Sequence, residues 1–248
     1  MDNSTYIALS GAMAQRRALD IVSNNVANMN TSGFKAELAA VEEFKARPPG
    51  GASQSTSFVL DRASYLDASQ GTMQSTGNPL DVALNGAGWL SYEMPNGERA
   101  FGRDGSLVVD ADGGLMTKSG NRVLNAGGTP IDLPEGIGEI NISSTGEISG
   151  ANGQVVDIIG VFNVENIGAY NRLGAGMFVP PQAGDLAGVS VAQGVEVAQG
   201  FLEGSNINAI SEMTRMIEVQ RAYERSSKVM DKIDQARNEI TDRIGRIR

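Results

Sequence analysis

Along the last fifth of the chain, apolar residues recur in alternating steps of three and four. They fall at Met213, Ile217, Tyr223, Met230, Ile233, Ile240, Ile244 and Ile247, with Gln220, Ser227 and Arg237 filling the rest of the stripe. That spacing predicts a helix from Asn206 onward whose seam lies against another helix. Gly204, Ser205 and Asn206 mark its start, and neither Pro nor internal Gly interrupts it before Gly245. At about 1.5 Å per residue such a rod is roughly 60 Å long, more than a compact domain of this size buries along its length. A second amphipathic pattern runs from Asp2 to about Asn28, with Ile7, Leu9, Ala12, Met13, Leu19, Val22 and Val26 on or near one face. Neither stripe has a core of its own. The two ends are therefore expected to bury their stripes against each other, or against copies in neighbouring molecules.

The first helix runs into a polar cluster, Asn24, Asn25, Asn28 and Asn30, followed by Thr31-Ser32-Gly33-Phe34-Lys35. Asn24 and Asn28 stand four apart and share a helix face, and Gly33 can adopt the left-handed conformation that stops a helix. One reading is a polar terminal turn with Phe34 as a core anchor. The other is a set of buried amides whose hydrogen bonds fix one register, within the chain or across a subunit interface. Ala36 to Ala46 fits helix or strand, Arg47 to Ser57 reads as a loop, and Phe58 to Thr76 is mixed and polar.

From Pro79 to about Phe201 the period changes to two. Short apolar runs (80–84, 89–92, 107–109, 122–124, 140–142, 155–159, 161–164 and 189–191) alternate with turn pairs. Those pairs are Asn96-Gly97, Asp104-Gly105, Asp112-Gly113, Ser119-Gly120, Thr145-Gly146 and Asn152-Gly153, the chemistry of tight hairpins. Their spacing suits a sandwich or small barrel. The fold class read from the pattern is α+β: N- and C-terminal helices pairing like a coiled coil, with an inserted all-β domain. Its boundaries are 1–35 and 205–248 for the helices, 36–78 for an extended connecting region and 79–204 for the β-rich part.

Composition narrows the chemistry. The 248 residues include no Cys and no His, so disulfides, thiolate catalysis and the commonest general base and metal ligand are missing. A net charge of −9 supplies no electrostatic footprint for nucleic acid or anionic lipid. No stretch approaches the ~20 apolar residues that span a bilayer, and the first residues carry no cleavable secretion signal. Asp104, Asp110 and Asp112 lack the spacing of a calcium loop and are explained as turns. Thr117-Lys118-Ser119 lacks the spacing and following helix of a phosphate loop. Glu42 and Glu43 point apart if helical and read as solvated, and Met73, Met94, Met116 and Met177 are scattered core fillers.

Three blocks carry a resemblance. Ser23-Asn24-Asn25-Val26-Ala27-Asn28 with Thr31-Ser32-Gly33-Phe34-Lys35 resembles the N-terminal signature of bacterial flagellar rod and hook proteins. Thr76-Gly77-Asn78-Pro79-Leu80-Asp81-Val82-Ala83-Leu84, Gly88-Trp89-Leu90 and Phe101-Gly102-Arg103-Asp104-Gly105 are similar to the start of that family's β domain. Gln199 to Asn208, with Glu212-Met213 and Gln220-Arg221-Ala222-Tyr223-Glu224, is similar to its C-terminal block. Length leaves the larger proximal rod type and the distal rod type; the short Ser/Gly-rich stretch after Phe44 and the Gly88-Trp89-Leu90 variant resemble the former, with the distal rod type as the alternative.

The resemblance implies a structural subunit of the basal-body rod with no catalysis, cofactor or metal. It implies an axial layer around a hollow channel, built by Leu9, Met13, Leu19, Val22, Asn24, Asn25, Val26 and Asn28 of the first helix. Asn24, Asn25 and Asn28 with Thr31, Gly33 and Phe34 would sit where that layer meets the outer part, and Met213, Ile217, Gln220, Tyr223, Met230, Ile233, Ile240, Ile244 and Ile247 would complete the layer. The β domain would face outward. Implied partners are further copies, the smaller proximal rod subunits, the distal rod protein and the flagellar type III export apparatus, which takes its substrates without a cleaved signal peptide. The competing class, a carboxylate-dependent cell-wall glycan hydrolase, needs a separated acidic pair among aromatics. Aromatic content of 5% offers little of that setting.

Overall fold

The computed structural model describes residues 3–46 and 56–245, with side-chain surroundings for 9–39, 64–174, 176–236, 238 and 239. The loop expected over 47–57 lies outside the described residues up to 55, as does Ile247, and Ile240 and Ile244 are placed by backbone alone. The chain forms two compact units. The helical unit comprises Met1–Ala27, Glu37–Asp67 and Asn208–Arg248, and the β unit comprises Asn28–Ala36 and Ala68–Ile207. The fold is α+β, and every strand pairing is antiparallel.

In the helical unit, α1 (Asn3–Ala27) packs along α2 (Ala209–Gly245) and also against a long hairpin, β1 (Glu37–Ala46) and β2 (Thr56–Leu66). The stretch 36–46 that fitted helix or strand is therefore strand from Glu37, and its register shifts by one residue between Ala40 and Val41. Asn25, near the end of α1, meets Glu212, in the first turn of α2, so the helices run antiparallel. Two faces of α1 are covered: Ala12, Leu19, Val22 and Val26 on one, Ala14, Ala18, Ile21 and Asn25 on the other. Alanines at 12, 14 and 18 let neighbours approach closely. Stepping from Asn25 back to Asn3, and the same distance forward from Glu212, arrives near Asp234, so α2 outruns α1 by about three turns.

The seam of α2 is turned by one residue from the sequence expectation over its first half. Positions that lose exposure are Glu212, Met216, Val219, Tyr223, Ser226, Met230 and Ile233, again in steps of four and three. Tyr223, Met230 and Ile233 lie on the expected stripe, whereas Met213 and Ile217 keep 45% and 51% of their surface and Gln220 is exposed. The cause is the bond from Asn25 to Glu212, which turns an acidic residue inward; counting apolar residues alone selects Met213 and Ile217 instead. The helix also starts later than Gly204–Asn206: Asn208 is its N-cap, accepting from the Ser211 N–H at 3.1 Å.

Residues 79–204, expected to be β-rich, supply most of the β unit. Its largest sheet has nine strands, in the order Asn171–Leu173, Met177–Val179, Arg99–Gly102, Trp89–Glu93, Arg122–Val123, Leu115–Thr117 and Leu107–Val109. Val161–Val164 branches from Trp89–Glu93 and carries Val189–Val191. Smaller sheets join Asn141–Ile142, Glu147–Ser149 and Val155–Ile158, pair Val82–Asn85 with Glu196–Gln199, and pair Met73–Ser75 with Phe201–Glu203. Each of the eight apolar runs contains a strand. Period-two burial is visible at Leu115 and Thr117 around Met116, and at Phe162 and Val164 around Asn163. Leu84, Leu90, Leu107, Leu115, Ile131, Ile148 and Ile159 form the core, each contributing roughly 1.5–3 kcal/mol by burial.

One turn pair proved different. A Cβ on Gly105 would sit 1.7 Å from the Val82 carbonyl oxygen, so this glycine serves a close backbone approach rather than a hairpin. The connecting region expected over 36–78 is also divided. Its first part is the hairpin of the helical unit, and Asn28–Ala36, expected with the helix, belongs to the β unit.

Candidate assembly interface

Asn25 explains most of the asparagine cluster. It is fully buried, and its amide makes three hydrogen bonds, using both donors and the oxygen. Nδ2 donates to the Glu37 carbonyl oxygen and to Glu212 Oε1, both at 2.8 Å, while Oδ1 accepts from the Glu37 N–H at 3.1 Å. One side chain therefore takes the place of a strand neighbour for the start of β1 and pins the first turn of α2 to the end of α1. Of the two readings of the cluster, register fixing within the chain applies to Asn25. Asn24 is exposed and Asn28 half-buried, with the Thr31 hydroxyl donating to Asn28 Oδ1 at 3.2 Å. Gly33 is left-handed as expected, at φ +68°, but α1 has already ended at Ala27. A Cβ there would meet the Arg103 backbone at 2.3 Å, and the Gly33 N–H donates to the Glu203 carbonyl oxygen.

A second polar cluster, within the β unit, is charged. Lys35 and Glu203 are wholly buried and Arg103 nearly so. Glu203 Oε1 accepts from Lys35 Nζ at 2.5 Å and from the Gly71 N–H at 2.9 Å, and Oε2 accepts from Arg103 Nη1 at 3.0 Å. Lys35 also donates to the Ser69 carbonyl oxygen, and Arg103 to that of Gly86. Two cations thus share one anion, and Lys35 Nζ and Arg103 Nη2 each donate to a backbone carbonyl as well, while Arg103 Nε is buried without a hydrogen-bond partner among the described residues. The Arg103 guanidinium lies over Trp89, Trp89 meets Phe178 edge to face, and Arg172 lies over both Phe178 and Phe34. Arg172 in turn donates to the Lys35 carbonyl oxygen. Asn206, read from sequence as a helix cap, accepts from the Ala36 N–H at 2.8 Å and donates to Ser69.

Near this cluster, Tyr92 donates its hydroxyl to the Asp104 carbonyl oxygen at 2.7 Å, and burial holds its phenol well above the usual range. Burial also raises the Asp104 carboxyl, against the hydrogen bonds it accepts from Ser106. Asp110 accepts from the Asp112 and Gly114 N–H groups. Of the aspartates weighed as calcium ligands, Asp104 and Asp110 thus accept within turns, and among the described residues no group of three or more metal-binding side chains forms. No described helix is long and apolar enough to cross a membrane.

Lys35, Arg103 and Glu203 come from three separate parts of the sequence, and three family matches cover those parts. Residues 6–35 match "Flagella basal body rod protein", 83–150 match "Flagellar hook protein FlgE/F/G D1 domain", and 198–243 match "Flagellar basal body rod FlgEFG protein C-terminal". The flagellar basal-body rod protein FlgF of Mesorhizobium japonicum is 36% identical over 99% of both chains. That of Caulobacter vibrioides is 35% identical over the full length of both. The chain belongs to the flagellar basal-body rod protein family. Within it, the FlgF type is better supported than FlgG, whose Agrobacterium fabrum member is 31% identical over 92% of this chain and 94% of its own. As a rod protein it is a structural component of the flagellar basal body and not an enzyme. Each family match supplies one member of the buried charge cluster. The sequence blocks named the three members without indicating that they meet, because their partners lie 100 and 168 residues apart.

Exposed apolar side chains of the helical unit form the remaining feature. On α2 these are Ile210, Met213 and Ile217, in steps of three and four, and Val229 further along; on α1 they are Leu9 and Met13, four apart, and on β2 Tyr65. Leu19 and Val26 are half-buried and Val22 is buried, so they serve packing within the unit.

Proposed function

We propose that this rod protein is a subunit of the proximal rod, where α1 and α2 pack coiled-coil fashion against helices of neighbouring subunits in an axial layer around a hollow channel. The β unit forms the outer surface, Thr31, Gly33 and Phe34 sit where layer and outer part join, and the assembled rod transmits torque and conducts export. The chain reaches the rod through the flagellar type III apparatus without a cleaved signal peptide. It meets further copies, the smaller proximal rod subunits on one side and the distal rod protein on the other. Full-length similarity to FlgF proteins supports the position in the rod. The carrying observation is that Ile210, Met213 and Ile217 repeat at helical spacing yet remain 80%, 45% and 51% exposed. Such a stripe has no use in an isolated helix pair and suits a second pair laid beside it.

The test replaces Met213 and Ile217 together by Asp. Because both are already half exposed, monomer stability should change by no more than about 0.5 kcal/mol each. In a strain lacking the wild-type chain, the variant should leave basal bodies halted within the rod, seen by electron microscopy of purified particles. Normal rods and full motility would overturn the reading.

A further inference from the structure

The charge of the chain is unevenly placed. The helical unit holds fourteen acidic and fourteen basic residues, whereas the β unit holds fifteen acidic and six basic, so the β unit carries the whole net charge of −9. Its cations are largely withdrawn from the surface. Lys35 and Arg103 are buried on Glu203, Arg172 is stacked on Phe34 and Phe178, Arg99 lies against Phe162, and Arg122 pairs with Asp132. Lys118 is the one basic residue of this unit in the exposed class, against eight acidic residues in that class. Two copies drawn together through neutral helical units bring with them two β units whose exposed charge is mostly acidic.

From this asymmetry we infer that the rod protein limits its own polymerisation: apolar helix contacts draw copies together while repulsion between β units restrains them, so homotypic association strengthens as salt rises. This rests on the proposed helix-mediated assembly. Ordinary surface ion pairing gives the opposite dependence, because salt screens attraction as well as repulsion. The Debye length falls from about 30 Å at 0.01 M to about 3 Å at 1 M salt, so the restraint is strong at low salt and nearly gone at high salt. Copies are thereby disfavoured as neighbours relative to a rod subunit whose outer unit carries less negative charge.

Sedimentation equilibrium of the full chain across a sodium chloride series tests this. Self-association should tighten by about tenfold or more between roughly 0.02 M and 0.5 M salt. Glu135, Glu139, Glu147 and Glu165 are exposed, and among the described residues none of their carboxylates has a hydrogen bond or ion pair. Replacing all four by Gln should let the chain associate at low salt as the wild type does at high salt, with a flattened salt dependence. If the wild type and this variant respond to salt equally, salt is strengthening apolar contact alone and the inference fails. Association that weakens with salt, or is absent at every salt, also overturns it. The proposed function is read separately: loss of association in the Met213→Asp, Ile217→Asp variant, with halted basal bodies, keeps that reading standing whatever the salt series gives.

Discussion

The two units solve the problem of burial differently. In the β unit, Tyr92, Leu107 and Ile131 expose nothing, and the strands around them close a core from both sides. In the helical unit, every apolar residue on the inner stripe of α2, from Met216 to Ile233, keeps part of its surface open. A sheet with many short strands can enclose itself, whereas a helix of 37 residues against one of 25 cannot. Their polar clusters differ in the same sense. The β unit encloses two cations around one anion, while the helical unit is pinned by the Asn25 amide and a single buried carboxylate, Glu212.

The sharpest way to break this contrast is Glu203→Ala, which leaves Lys35 and Arg103 buried without their anion and should cost about 3–5 kcal/mol. Trp89, the only tryptophan, lies under Arg103, so urea unfolding followed by its fluorescence reports on this unit. An unchanged midpoint would mean that the charge cluster does not hold the β unit together. Asn25→Ala comes next, at about 1–3 kcal/mol, because it removes both hydrogen bonds to the Glu37 backbone and the one to Glu212. Helical ellipticity at 222 nm should lose more of its midpoint than Trp89 fluorescence does; equal shifts would erase the distinction between the clusters.

The smallest effect is on pH dependence. The Asp104 carboxyl is raised by burial, so its contribution to stability is complete below the ordinary carboxylate range and is lost as pH rises through its raised folded value. Asp104→Asn keeps an acceptor for Ser106 but does not titrate. The stability of wild type relative to this variant should therefore fall as pH rises from below the ordinary carboxylate range through the raised folded value, and this is the smallest of the three effects. A difference that stays flat or grows would show that charging Asp104 costs the fold nothing.

Much of this was legible in the chain. The period-two runs located strands because each needs only its own alternation, and Gly97, Gly113, Gly120, Gly146 and Gly153 are left-handed as their turns required. The two helices followed from their stripes. What local pattern missed depended on partners distant in sequence. Glu212 turns inward only because Asn25 receives it, and Lys35 is buried only because Glu203 and Ser69 accept its charge. The hairpin of β1 and β2 was ambiguous because Leu38, Val41 and Phe44 suit either period. Asn206 looked like a cap because Ser, Asn and Gly cluster there, whereas Asn208 does the capping.

The return of Asn28–Ala36 to the β unit, between a helix and a hairpin that both belong elsewhere, means that four backbone passages join the two units. The passages fall at Ala27, Ala36, Asp67 and Ile207, so neither unit is one continuous piece of chain, and trimming either terminus cannot release one of them whole.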